Sequence, residues 1–452
     1  MARCPPPEAP RVRLDLRGWR DPAIIALACM ALASGFGQFG AVTALGDVAK
    51  AFGHAVHGAS LADRAGLSGT ELGIGLAVLR LASLGSLPLS GLADRFGRRS
   101  VLVVATVLGL LFTVAAAASP GYWWFVAIFA MGRPLLTTTN AVSQVGAAEE
   151  TAASDRAKAI ALIAAGYGVG SGLTAVIHGL VGDIGFRGVF ALAALPLLMV
   201  IVVRRWLVEP SRFAIEATAP THPLPVLGAV ARPFRRRLAI VAALFVAVNV
   251  VTGPANSFVF VYAQNVRGLS GAVIAGMVVV AGAFGLLGLL VGRWLADRVG
   301  RRPTGALAMT AMICTGVLSY SGTRLGLIVG YELGILAASV LAPAGGALLN
   351  ELFPTSVRAS VAGWSIAASV LGAVVGLLAF GAIADIGNRF ADGAVATFTP
   401  MLLAVGLFAF LPETRGKELE ELWPSTGTEG PVDAAVGDAG GSPRRARRGL
   451  GG

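Results

Sequence analysis

Two short runs in this sequence carry groups that could work at a membrane surface, and three isolated charges could work inside one. Asp94-Arg95-Phe96-Gly97-Arg98-Arg99 and Asp297-Arg298-Val299-Gly300-Arg301-Arg302 each combine a carboxylate, a glycine and several guanidinium groups. Gly97 and Gly300 permit a sharp turn, and the arginines suit the headgroup layer. Arg80, Arg133 and Glu332 stand instead inside long apolar stretches. An ionisable group within a span costs about 2.5–3.5 kcal/mol on insertion scales, so each asks for a partner or a function. Neutral polar residues share such stretches: Gln38, Asn140, Gln144, Asn249 and Asn256, with Trp364 and Tyr331 able to stack on a ligand. Asn249 and Asn256 are spaced to share one helix face, with Pro254 between them as a point of bending.

The elements that must hold these groups are membrane helices. Charged residues make up 13% of the 452 residues and hydrophobic ones 55%, against roughly 25% and 45–50% in a soluble domain. Charge-free blocks such as 101–118, 238–251 and 394–411 approach or reach the roughly 17–25 residues of a span. Twelve spans fit, near 23–46, 70–93, 100–118, 121–147, 157–181, 187–208, 238–263, 271–296, 304–321, 325–349, 359–385 and 394–412 (helices 1 to 12). The net charge of +11 does not form a stripe for nucleic acid. Most Lys and Arg lie in alternate loops, which by the positive-inside bias puts both termini in the cytoplasm of a multi-pass cell-membrane protein. The chain therefore divides into a cytoplasmic segment 1–22, a six-helix bundle 23–208, a proline-broken cytoplasmic linker 209–237, a second bundle 238–412 and a basic, mostly disordered tail 413–452. The first apolar block is too long for a signal peptide and has no cleavage site. Cys4, Cys29 and Cys314 are far apart and predict no disulfide.

The halves read as copies. The two Asp-Arg-x-Gly-Arg-Arg runs, Gly182-Asp183-Ile184-Gly185 with Ala384-Asp385-Ile386-Gly387, and Glu150 with Glu351 all recur at an offset of about 200 residues. On these residues the chain resembles the major facilitator superfamily from 23 to about 420. The family's loop signature opens with a glycine that is displaced here: Ser90 holds that position beside Gly91, and Arg293 holds it beside Gly292. Pro412-Glu413-Thr414-Arg415-Gly416-Lys417, Glu209-Pro210-Ser211-Arg212-Phe213, the 351–359 loop, and Glu149, Glu150 and Arg156 resemble elements of sugar-porter-like and metabolite:proton symporter branches.

That resemblance implies an all-α fold of two pseudo-symmetric six-helix bundles, with helices 1, 4, 7 and 10 around a central cavity. It implies secondary active transport of a small polar solute by alternating access, and proton-coupled symport. Arg133 near the midplane would bind an anionic group, and Glu332, about 12 Å from the outer end of helix 10, would carry the proton. Gln38, Asn140, Asn249, Asn256 and Trp364 would complete the substrate site. Asp94, Arg95, Gly97, Arg98 and Arg99, with Asp297, Arg298, Gly300, Arg301 and Arg302, would form the gating loops. Structural readings stand beside these: an ion pair, Arg133 satisfying the turn broken by Pro134, Arg80 snorkelling from the side of the cavity, and Thr137, Thr138 and Thr139 back-bonding to their helix. Gly166, Gly168, Gly170 and Gly172 on helix 5, and Gly372 and Gly376 on helix 11, suit close helix approach. His178 reads as a polar cap.

The sugar-porter-like symporters place an aspartate in helix 1 opposite the helix 4 arginine; Phe36-Gly37-Gln38-Phe39-Gly40 has none. Either Glu332 replaces it or transport is not proton-coupled. The drug-antiporter Gly-Pro element of helix 5 is also missing, which argues against an exporter, the alternative within this fold. A non-transporting sensor would be expected to lose these intramembrane polar groups or gain a signalling domain. No nucleotide loop or metal-ligand cluster is legible, so neither enzyme chemistry, a cofactor nor a metal is expected. The expected partners are a small-molecule substrate, protons and the lipid bilayer, with the protein a monomer.

Overall fold

The computed structural model describes residues 18–53, 60–180, 185–208 and 234–415. The linker up to 233, the Glu209–Phe213 element, Asp183 and the tail after 415 lie outside the described residues, as does the side chain of Asp94. Among the described residues, twelve long helical stretches run in order: α1 (Pro22–Thr43), α2 (Gly69–Ala93), α3 (Arg98–Ala116), α4 (Tyr122–Glu150), α5 (Ala153–Leu180), α6 (Gly185–Val203), α7 (Arg235–Val266), α8 (Gly271–Arg298), α9 (Arg301–Ser319), α10 (Arg324–Glu351), α11 (Thr355–Ile386) and α12 (Phe390–Phe410).

Ten of these are long and apolar enough to cross a bilayer. The exceptions, α4 and α9, have the length, about 1.5 Å per residue against a hydrocarbon core of about 30 Å. They are diluted by polar groups: Arg133, Asn140, Gln144 and two glutamates on α4, Arg301 and Arg302 on α9. For α4 this is the mark of a helix that faces a site rather than lipid.

Local chemistry sets the ends. Asp21 caps α1, its carboxylate accepting from the Ala23 N–H at 2.9 Å with Pro22 in the first turn. Ser68 and Glu71 form a reciprocal capping box at α2. Gly97 and Gly300, at φ 91° and 122°, turn the chain into α3 and α9; the left-handed backbone is why each run carries glycine there. α1 stops at Thr43, before the predicted end at 46, and a short helix Leu45–Phe52 then carries Asp47 across the end of the bundle. α12 begins at Phe390 rather than 394.

Within each half, glycine lets backbones touch. Gly166 and Gly170 of α5 press on the Ala28 and Leu32 carbonyls of α1, whereas Gly168 and Gly172 face open space. Gly372 and Gly376 of α11 sit on Val246 and Val250 of α7, and Gly292 of α8, the displaced motif glycine, lies against Val340 of α10. Between the halves, α2 packs on α11 and α5 on α8, meeting at Gly69 with Gly381 and at Gly179 with Gly271. Cys29 and Cys314 are free thiols; Cys4 lies outside the described residues.

Candidate functional site

The interior of the first half is organised by α4 against α1. Arg133 donates from Nη1 to the Gln38 carbonyl at 3.0 Å. Gln38 is 5% exposed, and its Nε2 donates to Ser34 Oγ at 2.9 Å, which in turn donates to the Leu136 carbonyl at 2.7 Å. Thr137 Oγ1 reaches Gln38 Oε1 at 3.4 Å and its own helix at the Arg133 carbonyl at 2.9 Å. Thr138 and Thr139 bond back to the Pro134 and Leu135 carbonyls, the structural role anticipated for them. Arg133, Thr137, Asn140 and Gln144 recur at helical spacing along one face of α4. The Arg133 Nε and the Asn140 Oδ1 are buried without hydrogen-bond partners.

Arg80 was expected at the side of the cavity, snorkelling or in a structural pair. It is half-buried, and Tyr167 of α5 acts electrostatically on it and on Arg133. Gly85, little more than a turn along α2, abuts Pro134: a Cβ added there would meet the Pro134 Cβ at 3.2 Å. Among the described residues neither guanidinium pairs with a carboxylate. Where the related symporters would place an acid on helix 1, this chain offers Arg133 only a neutral carbonyl.

In the second half, Glu332 is 6% exposed and neither carboxyl oxygen has a hydrogen-bond partner. The same stretch of α10 meets α8 at Gly285 and Gly288 and α9 at Thr315 and Ser319, which bring no charge. Tyr331 packs edge-on to Phe260 of α7 (centroids 5.9 Å apart), and Phe260 packs edge-on to Phe39 of α1 at 6.1 Å. These three rings join the halves next to Gln38. A cavity of about 400 Å³ lies between α7, α10 and α12, lined by Val241, Leu244, Val248, Asn249, Leu341 and Phe408 among others. Its wall is almost wholly apolar. Asn249 lines it while donating to the Phe245 carbonyl at 2.9 Å. Asn256 and Trp364 are not among its lining residues, and Trp364 is 41% exposed. The structure thus brings Arg133, Gln38 and Thr137 together, and neither these three nor Trp364 lines this cavity.

The two ends of the bundle differ. At the end opposite the Asp94 and Asp297 loops, the halves are laced together. Asp385 of α11 accepts from the Gly69 and Thr70 N–H groups at 2.7 and 2.8 Å and from the Thr70 hydroxyl at 2.5 Å, capping α2. Asn388, in left-handed backbone at φ 55°, accepts from the Leu61 N–H, and its carbonyl accepts from Arg64 at 2.8 Å. Asp47 accepts from Gln264 of α7 and meets His178 Nε2 at 2.6 Å. Asn265 donates to the Gly46 and Ala65 carbonyls at 2.9 and 2.7 Å. His178, anticipated as a cap, is 3% exposed and belongs to this seam.

At the loop end, Arg98 and Arg301 each pair within their own half. Arg98 pairs with Glu149, and the repeat-related Arg301 meets Glu351 at 3.4 Å and Asp297 at 3.3 Å. Arg302 donates to the Phe408 and Ala409 carbonyls, both at 2.8 Å. Arg95 and Arg298 lie over the rings of Phe96 and Trp294. Glu413 caps α9, accepting from the Arg301 and Arg302 N–H groups at 2.9 and 3.1 Å. Burial raises the Glu413 carboxyl, but its four backbone N–H donors outweigh that and hold it below the usual carboxylate range. Asp297 keeps a 59% exposed side chain, free of the opposite half.

Sequence reading missed Tyr167, the Phe39–Phe260 contact and the Asp47–Gln264–Asn265 seam. Asp385 was marked only as a repeat landmark, and that recurrence was the available signal.

The family model described as Major Facilitator Superfamily matches residues 27–325 and 283–429. A probable 4-methylmuconolactone transporter of Cupriavidus pinatubonensis is 28% identical over 79% of this chain and 85% of its own length. The 3-(3-hydroxy-phenyl)propionate transporter of Escherichia coli is 27% identical over 73% of this chain and 81% of its own. Among solved structures, the xylose transporter of E. coli in an inward-open conformation superposes with a TM-score of 0.68 over 88% of this chain and 98% of its own, at 19% identity. With its twelve helices, its doubled loop motif and its central polar residues, the chain belongs to the Major Facilitator Superfamily.

Proposed function

We propose that this transporter moves a small organic anion across the cell membrane by alternating access, in symport with a proton. The observation that carries the reading is Arg133: a guanidinium in the interior of the first half, held by one neutral carbonyl, with a free Nε and no acid beside it. An uncompensated cation at that depth is costly, and an anionic ligand offsets the cost. The relatives named for a phenylpropionate and a muconolactone lend the same support. Glu332, buried with both oxygens unpartnered, is the proton carrier in this reading. It takes the place of the acid absent from α1.

The two halves rock about the Arg133–Gln38 region. The seam of Asp385, Asn388 and Asp47 together with the Phe39–Phe260–Tyr331 contact closes one end, while Arg98 and Arg301 of the two loops pair within their own halves. With those loops and both termini cytoplasmic, this arrangement is the inward-facing state.

The test is uptake of labelled aromatic and aliphatic acids into proteoliposomes under an imposed pH gradient. Wild type accumulates an acid, and Arg133→Ala abolishes binding while remaining folded. Transport restricted to neutral sugars or lipophilic cations, indifferent to Arg133, overturns the reading.

A further inference from the structure

We propose that Phe260 of α7 is a positioning residue that couples the two loads of the carrier, its ring linking Glu332 on α10 to the peptide of α1 that holds Arg133. That role rests on the symport reading above and adds how the proton and the anion are tied to one another.

Arg133 and Glu332 belong to opposite halves, and Glu332, with neither carboxyl oxygen hydrogen-bonded, has no polar link to Arg133. A line of rings joins their neighbourhoods instead. Tyr331, the residue before Glu332, meets Phe260 edge-on with centroids 5.9 Å apart, and Phe260 meets Phe39 edge-on at 6.1 Å. Phe39 follows Gln38, whose carbonyl accepts from Arg133 Nη1 at 3.0 Å. That carbonyl and the Phe39 N–H share one planar peptide unit, so a displacement of the Phe39 backbone carries the acceptor of Arg133 with it. Phe260 and Tyr331 are both buried, and a close-packed interior passes such a shift on rather than absorbing it.

The rest of α7 holds Phe260 in place for this. Phe258, two positions earlier, packs on Phe380 of α11 at 4.8 Å and on Phe390 of α12 at 5.8 Å, which anchors this part of α7 in its own half. Pro254, six positions before Phe260, interrupts the hydrogen-bond ladder of the helix and lets the segment beyond it swing. The Phe39–Phe260 contact joins opposite halves, so it is made when this end closes and lost when it opens. Closed, it leaves Glu332 buried without a partner, an arrangement costly for a carboxylate and tolerated by a neutral carboxyl. An anion on Arg133 acts on the same contact from the other side, through the Gln38–Phe39 peptide. Both sites thus bias one two-state element, which is what coupling between them requires.

The experiment is calorimetric titration of the full-length protein in nanodiscs with benzoate, phenylpropionate and hexanoate, at mildly acidic and mildly alkaline pH and in buffers of different ionisation enthalpy. Wild type binds its best probe at least about fivefold more tightly at the acidic pH, the lower end of ordinary site-to-site coupling, and takes up protons as it binds at the alkaline pH. Phe260→Ala binds the probe equally at both pH values with no proton uptake. Phe260→Tyr, which keeps the ring edge, restores both signals. Phe39→Ala, which breaks the same contact from α1, loses them as Phe260→Ala does. Phe258→Leu, altering a ring of the same segment that packs away from α1, keeps them. Persistence of proton uptake in either Phe260→Ala or Phe39→Ala, or its loss in Phe258→Leu, overturns this inference while the symport reading stands. Wild-type binding that is indifferent to pH overturns proton coupling together with it, and failure of wild type to bind any of the three acids overturns the anion-carrier reading as well.

Discussion

Replacing Asp385 with alanine should release the closed end of the transporter. The Asp385 carboxylate accepts three hydrogen bonds across the two halves, from the Gly69 and Thr70 N–H groups and the Thr70 hydroxyl, at 2.7, 2.8 and 2.5 Å. Ser68 already serves the Glu71 N–H, so Asp385 supplies the acceptors that the first two donors of α2 otherwise lack. When the halves part at this end, carboxylate and N–H groups return to water, and only the surplus over hydration biases the equilibrium. A hydrogen bond to a charged group is worth about 1.5–3 kcal/mol net, and a carboxylate at a helix N-terminus adds about 0.3–1 kcal/mol. Asp385 is half-buried and its bonds are not additive, so about 2 kcal/mol for the set is reasonable, an approximately 30-fold shift toward the state open at this end. Spin labels at Lys50 and Ile386, both exposed and on opposite halves, would report it as growth of the long-distance population by pulsed electron resonance in a cysteine-free background. Asp385→Asn, which keeps one acceptor oxygen, should fall between. An unchanged distance distribution in Asp385→Ala would refute the latch.

Two further outcomes follow from the site and the loops. Glu332→Gln should abolish accumulation driven by a pH gradient while preserving exchange of substrate between equilibrated compartments; a variant that still concentrates substrate under a proton gradient would remove Glu332 from the coupling step. Glu413→Ala should lower stability by about 1–2 kcal/mol through loss of the α9 cap, read as a lower thermal midpoint. Because the Glu413 carboxyl is held below its unfolded value of 4.5, its contribution is present above that pH and is lost as pH falls through the folded value. The difference between wild type and variant should therefore shrink on acidification, and a difference that grows would contradict the sign.

The division between what was legible and what was not runs along a physical line. Apolar run length and loop charge placed the spans to within a few residues, because a helix in lipid must satisfy its backbone internally and be long enough to cross. The two Asp-Arg-x-Gly-Arg-Arg runs were legible as a repeat, whereas the ion pairs of Arg98 with Glu149 and of Arg301 with Glu351 emerged only from the structure. Arg133 and Glu332 stood out because a lone charge in an apolar run is itself the signal. Where α1 ends was less visible, since Thr43, Ala44 and Leu45 are all compatible with a continuing helix and only packing at the bundle end turns the chain there.

Rotation and proximity are a different matter. Helices that are apolar almost all round say little about which face meets which neighbour, so nothing in the run around Phe39 indicated that it turns toward Phe260 of α7 rather than toward lipid. The pairing of Asp385 with α2 joins residues more than 300 positions apart, and no local preference encodes it. Sequence alone therefore determined that this is a twelve-helix carrier with buried charge, because bilayer thickness and charge cost act on each segment independently. Only the tertiary structure decided that Arg133 rests on a neutral carbonyl of α1 and that one end is latched shut, because both depend on how separately stable helices are turned against each other.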